Sequence, residues 1–123
     1  MAVHHSLPVL MLLAGLCAAS VSARDLHYGA VTDPALLECD AKDWRGQREP
    51  AQACYRTLLQ SDTDAVIRAE AAWALGDLKA ANRLFQQAVY EQPDDANRRT
   101  RWGELYRETY QFREALTLSL IHI

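Results

Sequence analysis

From Asp62 to Asp95 the apolar residues recur at helical spacing. Ala65 to Leu75 is alanine-rich and apolar at Val66, Ala69 and Trp73, with Asp62 or Thr63 in place to cap its start. Gly76-Asp77 then reads as a turn, because glycine takes the positive φ that ends many helices. Leu78 to Gln92 puts Leu78, Ala81, Phe85 and Ala88 on one stripe, which predicts a second helix closed by Pro93. Asp94 and Asp95 can cap a third that starts at Ala96. Upstream, the pattern predicts a helix over Arg48–Gln60 and a short one around Asp33–Leu37. No stretch alternates with period two, so no sheet is expected.

The two ends depart from this pattern. Leu7 to Ala19 is a nearly unbroken apolar run, too short to span a bilayer but suited to a secretory leader. Val21-Ser22-Ala23 supplies the small residues of a cleavage site, so residues 1–23 are expected to be a signal peptide removed before Arg24. The flank ahead of the run holds His4 and His5 in place of the usual lysine or arginine. Leu16, which is not small, stands before Cys17 and argues against a lipid-anchored cysteine there. At the other end, Leu118-Ser119-Leu120-Ile121-His122-Ile123 is what CTG-TCT-CTT-ATA-CAC-ATC encodes, a string that matches the transposon end of sequencing-library adapters. Residues 118–123 are therefore expected to be adapter translation, with the authentic chain truncated near Thr117.

Between these ends, His27 is the one histidine and Ser61 the one serine. One histidine in an N-terminal extension is a poor basis for a nucleophile beside a base and an orienting group, or for a site of three to four zinc ligands. No glycine-rich phosphate loop is present. No catalytic residue, cofactor or metal is expected, and the fragment does not read as an enzyme. Charge is uneven: residues 24–95 carry 8 basic and 13 acidic side chains, and those from Ala96 onward carry 5 and 3. Arg98-Arg99-Thr100-Arg101-Trp102 is the one basic cluster with an aromatic. Acidic neighbours and export both count against nucleic acid as its partner, which leaves a solvated face, an acidic peptide or the acidic upstream repeats.

A shift of 34 residues superimposes the segment from Asp62 on the segment from Ala96, with Ala69 on Gly103, Leu78 on Phe112 and Ala81 on Ala115. Ala69, Ala81, Phe85, Ala88 and Pro93 occupy the small, alanine, aromatic, alanine and proline positions of the tetratricopeptide repeat (TPR), which this spacing resembles. Gly103, Tyr106 and Ala115 continue the match, with Trp102 as a large residue. Ala65, Arg68 and Ala72 stand where the family places large residues, so the first helix of the unit is under-packed by that standard. Gly46, Ala51, Tyr55 and Leu58 fit an earlier, shortened unit. The resemblance implies an all-α fold of antiparallel helical hairpins stacked as a short right-handed solenoid. Its parts would be an N-terminal extension with a short helix (24–47), a degenerate repeat helix (48–61), a full repeat (62–95) and a truncated one (96–117).

The resemblance also implies a function: binding a protein or peptide on the concave face lined by the first helix of each repeat. Here those positions are Thr63, Val66, Glu70, Trp73 and Ala74, then Asn97, Thr100, Glu104, Arg107 and Glu108. An exposed Trp73 flanked by glutamate and arginine would serve as an anchor. Val66 and Glu70 differ from the lysine and asparagine of the carboxylate-clamp versions, so a terminal carboxylate is not the expected ligand. A recruiting arm of a larger envelope enzyme and a structural spacer are the alternatives. With the leader removed, Cys39 and Cys54 remain; an even count in an exported, periplasmic or secreted protein reads as a disulfide, against two buried thiols. Neither partner identity nor oligomeric state is legible in the sequence.

Overall fold

In the computed structural model the described residues are Arg24, Asp25, Tyr28 and 30–121, with side chains described as far as Tyr110. The expected signal peptide, His27 and residues 122–123 lie outside them. The fold is all-helical: α1 (Pro34–Trp44), α2 (Arg48–Leu59), α3 (Ala65–Ala74), α4 (Leu78–Glu91) and α5 (Ala96–Ile121), with no strand among the described residues. Each helix packs on the next in sequence, and α1 also touches α3.

Local chemistry sets the helix ends. Asp33, Asp64 and Asp77 cap α1, α3 and α4, each accepting a backbone N–H of the first turn. The cap of α3 is thus Asp64, one residue beyond Thr63 and two beyond Asp62. Gly46 and Gly76 both sit at φ +80°, where an L side chain would be strained. Around Gly76, the amides of Gly76 and Asp77 donate to the carbonyls of Trp73 and Ala72, at 2.9 and 3.0 Å. Gly46 and Gln47 repeat that pattern on Asp43 and Lys42. Two hairpins therefore turn in the same way. The first is more regular than its sequence suggests: α1 continues to Trp44, well past the expected short helix around Asp33–Leu37, and pairs with a full α2.

Helix α3 lies at the centre. Ala65, Ala69 and Ala72 join Val66 and Trp73 in a cluster with Ala80, Ala81, Leu84, Phe85, Ala88 and Leu105. Ala71 faces the other way, into a cluster with Leu36, Cys39, Ala51 and Tyr55. Alanine at these positions lets neighbours close on both sides of the helix, and the large side chains come mostly from those neighbours. The under-packing expected of this helix is corrected accordingly: Ala65 and Ala72 are fully covered.

The hairpin that the resemblance implies is not formed in the truncated last repeat, where α5 is one 26-residue helix running to Ile121. The pairing of Phe112 with Leu78 falls on side chains outside the description. Cys39 and Cys54 are joined by a disulfide that ties α1 to α2, with Cα atoms 5.4 Å apart. Closing a loop of about 15 residues stabilises by roughly 3 kcal/mol. Replacing both cysteines by serine should thus lower the Tm by about 10 °C or more in circular-dichroism melts. An unchanged Tm would show that the bridge is dispensable.

Candidate functional site

The inner side of α1, α3 and α5 carries a buried ionic cluster centred on Glu70, which is 1% exposed. Glu70 Oε1 accepts from Arg101 Nε at 2.6 Å, and Oε2 accepts from Arg101 Nη2 and Arg24 Nε, both at 2.9 Å. Arg24 Nη2 reaches Asp40 Oδ1 at 2.8 Å, and its Nη1 lies 3.4 Å from the Tyr55 hydroxyl. That hydroxyl donates to Asp40 Oδ1 at 2.5 Å. Arg101 Nη1 closes the chain on Glu104 at 2.6 Å. The guanidinium of Arg24 lies 5.3 Å from the centre of the Tyr55 ring, and that of Arg101 lies 4.7 Å from the centre of the Trp73 ring. Asp40 Oδ2 is buried with no hydrogen-bond partner among the described residues.

Two guanidinium groups thus meet two buried carboxylates in a region shielded from water. Burial alone would favour loss of the Arg24 proton, but the charges of Glu70 and Asp40 outweigh it and hold the group firmly charged. The Tyr55 phenol is pushed well above its ordinary range by burial and by its hydrogen bond to Asp40, against the opposing charge of Arg24. Tyr28 is raised as well, by burial and then by its 2.6 Å bond to Asp43.

The structure divides the expected groove residues into three groups. Val66, Glu70 and Trp73 are buried; Thr63, Glu104 and Glu108 are half-buried; Asn97, Thr100 and Arg107 are exposed. Trp73 is not the exposed anchor that its position suggested. It is 2% exposed, packs edge-on against Phe85 and donates from Nε1 to Glu108 at 2.5 Å. The solvated basic face is corrected too, because Arg98 and Arg101 point inward to Asp64 and Glu70, the acidic upstream segment that was the cluster's other expected partner. Arg98 donates to Asp64 at 2.6 Å, to Asp95 at 3.3 Å and to the Ala88 carbonyl at 3.0 Å, binding the ends of α3, α4 and α5 together. Arg99 remains exposed and bonds the Pro93 carbonyl, and Trp102 donates to Asn82 at 2.8 Å.

Sequence reasoning missed Arg24, Asp40, Tyr55 and Arg101 as members of this site. It also missed what covers it. Residues 30–32, just ahead of α1, lie over α3 and α5: Val31 packs against both apolar clusters, and Ala30, Val31 and Thr32 share a cavity with Val66, Asn97 and Arg98. Comparison with protein-family models, curated proteins and solved structures finds no match to this chain.

Glu70→Gln leaves two buried guanidinium groups facing a neutral amide. It should cost about 3–5 kcal/mol in denaturant unfolding, and a loss below about 1 kcal/mol would mean that the cluster contributes no more than a surface pair. The second ion-pair cluster has a pH signature. Burial opposes ionisation of Asp64, but its bonds from Arg98 and the Val66 amide, with the charges of Arg98 and Arg68, hold its carboxyl below the ordinary aspartate range. A lowered folded-state pKa adds stability that is present above the ordinary range and lost as pH falls through the folded value. The unfolding free energy should therefore fall less steeply below pH ~4 for Asp64→Asn, which keeps the cap, than for the wild-type chain. Parallel pH curves would refute the linkage.

Proposed function

We propose that this chain is an exported interaction scaffold of the TPR type, a short right-handed solenoid of helical hairpins. It binds a peptide or partner domain along the face formed by α1, α3 and α5. The observation that carries the reading is that Glu70 of α3 joins Arg101 of α5 and, through Arg24, Asp40 of α1. The first helices of successive hairpins therefore share one inner side. The matching Gly46 and Gly76 turns support a repeated unit, and the five residues from Ala69 to Pro93 support its family. Leader removal after Ala23 would deliver the chain to the periplasm or outside the cell. On this face Asn97, Thr100 and Arg107 remain open to a partner, and with Glu104 and Glu108 they present both signs of charge.

The test is site-specific photocrosslinking in an exporting bacterial host. A photoreactive residue at Thr100 or Arg107 should give a discrete adduct in the periplasmic fraction, whereas one at the exposed Gln87 of α4 should not. Adducts at Gln87 alone, or equal yields at all three positions, would move the contact off the inner face and end this reading.

A further inference from the structure

We infer that the recess between Asp40, Tyr55 and Glu70 is a guanidinium receptor that the chain fills with its own Arg24. An arginine of a bound partner segment takes the recess when Arg24 withdraws. The inference deepens the proposed function, since it rests on the inner face receiving a peptide, and it names the chemistry that face selects.

Three features carry it. First, the recess reads the shape of its occupant as well as the charge. The three nitrogens of Arg24 point to three different elements: Nε to Glu70 on α3, Nη1 to Tyr55 on α2, and Nη2 to Asp40 on α1. The planar fork of a guanidinium supplies donors in those directions at once; an ammonium is a single point. The Tyr55 ring lies against the guanidinium and favours a flat cation.

Second, the occupant comes from a segment that is not part of the helical framework. Arg24 is 46 residues from Glu70 in sequence. It is anchored by side-chain contacts, with Tyr28 bonded to Asp43 and Val31 against the apolar clusters. The receptor itself stands on α1, α2 and α3, which pack on one another and are held by the Cys39–Cys54 bridge and the Arg101–Glu70 pair. The walls thus do not depend on Arg24 alone.

Third, Arg24 leaves one acceptor of the recess unused. Asp40 Oδ2 is buried without a hydrogen-bond partner among the described residues, while Oδ1 takes both Tyr55 and Arg24. A carboxylate presenting two oxygens suits bidentate contact with a guanidinium, and Arg24 meets one of them. The recess therefore has room in hydrogen bonding for an arginine that arrives at another angle.

Chemical rescue of the full chain tests this. Arg24→Ala removes the guanidinium together with the two carbons nearest it, and ethylguanidinium replaces what was removed. The variant should melt about 10 °C or more below wild type. Millimolar ethylguanidinium, or N-acetylargininamide as a stand-in for a partner's arginine, should restore at least half of that loss in a saturable way. Neither compound should raise the wild-type Tm, because Arg24 holds the recess there. Absence of rescue, equal rescue by butylammonium, or an equal rise in wild type would each overturn the receptor.

Should Arg24→Ala fail to fold, Arg24→Lys keeps the charge and decides the matter. It should melt about 5 °C or more below wild type, and a lysine equivalent to arginine would refute selection for the guanidinium shape. The two proposals fail separately. Rescue without crosslinks at Thr100 and Arg107 would keep the receptor and remove the peptide face, and crosslinks without rescue would do the reverse.

Discussion

A carboxylate withdrawn from water must have its charge answered where it sits, and Glu70 imposes that demand on the centre of this fold. It projects from a helix otherwise built mainly of alanines, which neighbours enclose on both sides. Its compensating charges come from outside that helix, from the segment before α1 and from α5. Non-local ion pairs of this kind add selectivity more readily than net stability, because the desolvation of each charge consumes much of the attraction. The selectivity is geometric. Each residue on a helix is rotated by about 100° from the one before. A one-residue slip of α5 would therefore swing Arg101 off the inner side and leave Glu70 with half its compensation. The apolar contacts of Leu105 against α3 and α4 are less exacting, since alanine surfaces accept small shifts.

Arg98 applies a second constraint at the other end of the same interface. Its partners are the Asp64 cap of α3, the last turn of α4 and Asp95 just before α5. Asp64 and Arg98 are 34 residues apart, so one arginine joins the start of α3 to the start of α5. Arg101 and Arg98 lie three residues apart on α5 and thus on neighbouring turns of one face. Together they fix both the rotation and the height of that helix against α3. A cluster of basic residues that looks like a surface for a partner is here largely used within the molecule.

The difference between what was legible in the sequence and what was not follows the range of the interactions. Helix limits came within a residue or two for α2, α3 and α4, because glycine at positive φ, capping aspartates and the stripe from Leu78 to Ala88 all act within one turn. The all-helical class followed from the same signals. The extent of α1 was missed because its pattern is weak: Leu36, Cys39 and Asp40 are its buried residues, and an aspartate facing inward does not read as core. For the site, Glu70 was singled out but expected in solvent, and Trp73 was expected to be exposed. The charge of Glu70 is answered by Arg24 and Arg101, which lie 46 and 31 residues away, and Arg101 also lies against the Trp73 ring. No local rule pairs charges over such distances. One signal was available, namely an acidic residue at an inward position of a first helix and an arginine on the next first helix.

The covering segment bears on the proposed use of the inner face as a binding surface. At the α1–α3 end the face is closed: Arg24 is held among Asp40, Tyr55 and Glu70, and Val31 lies on the apolar clusters. Towards α5 it opens, with Asn97, Thr100 and Arg107 exposed and Glu104 partly so. A partner arriving on α5 would meet side chains already in water and would lose little by touching them. Extending the contact towards α3 is a different matter, because it would require displacing an arginine that makes two ion pairs and putting something equivalent in its place. An apolar or acidic segment could not do so without leaving Asp40 and Glu70 undercompensated, whereas a segment bearing arginine could. If the chain serves as the proposed scaffold, discrimination between partners would reside in the closed part of the face, and initial contact in the open part.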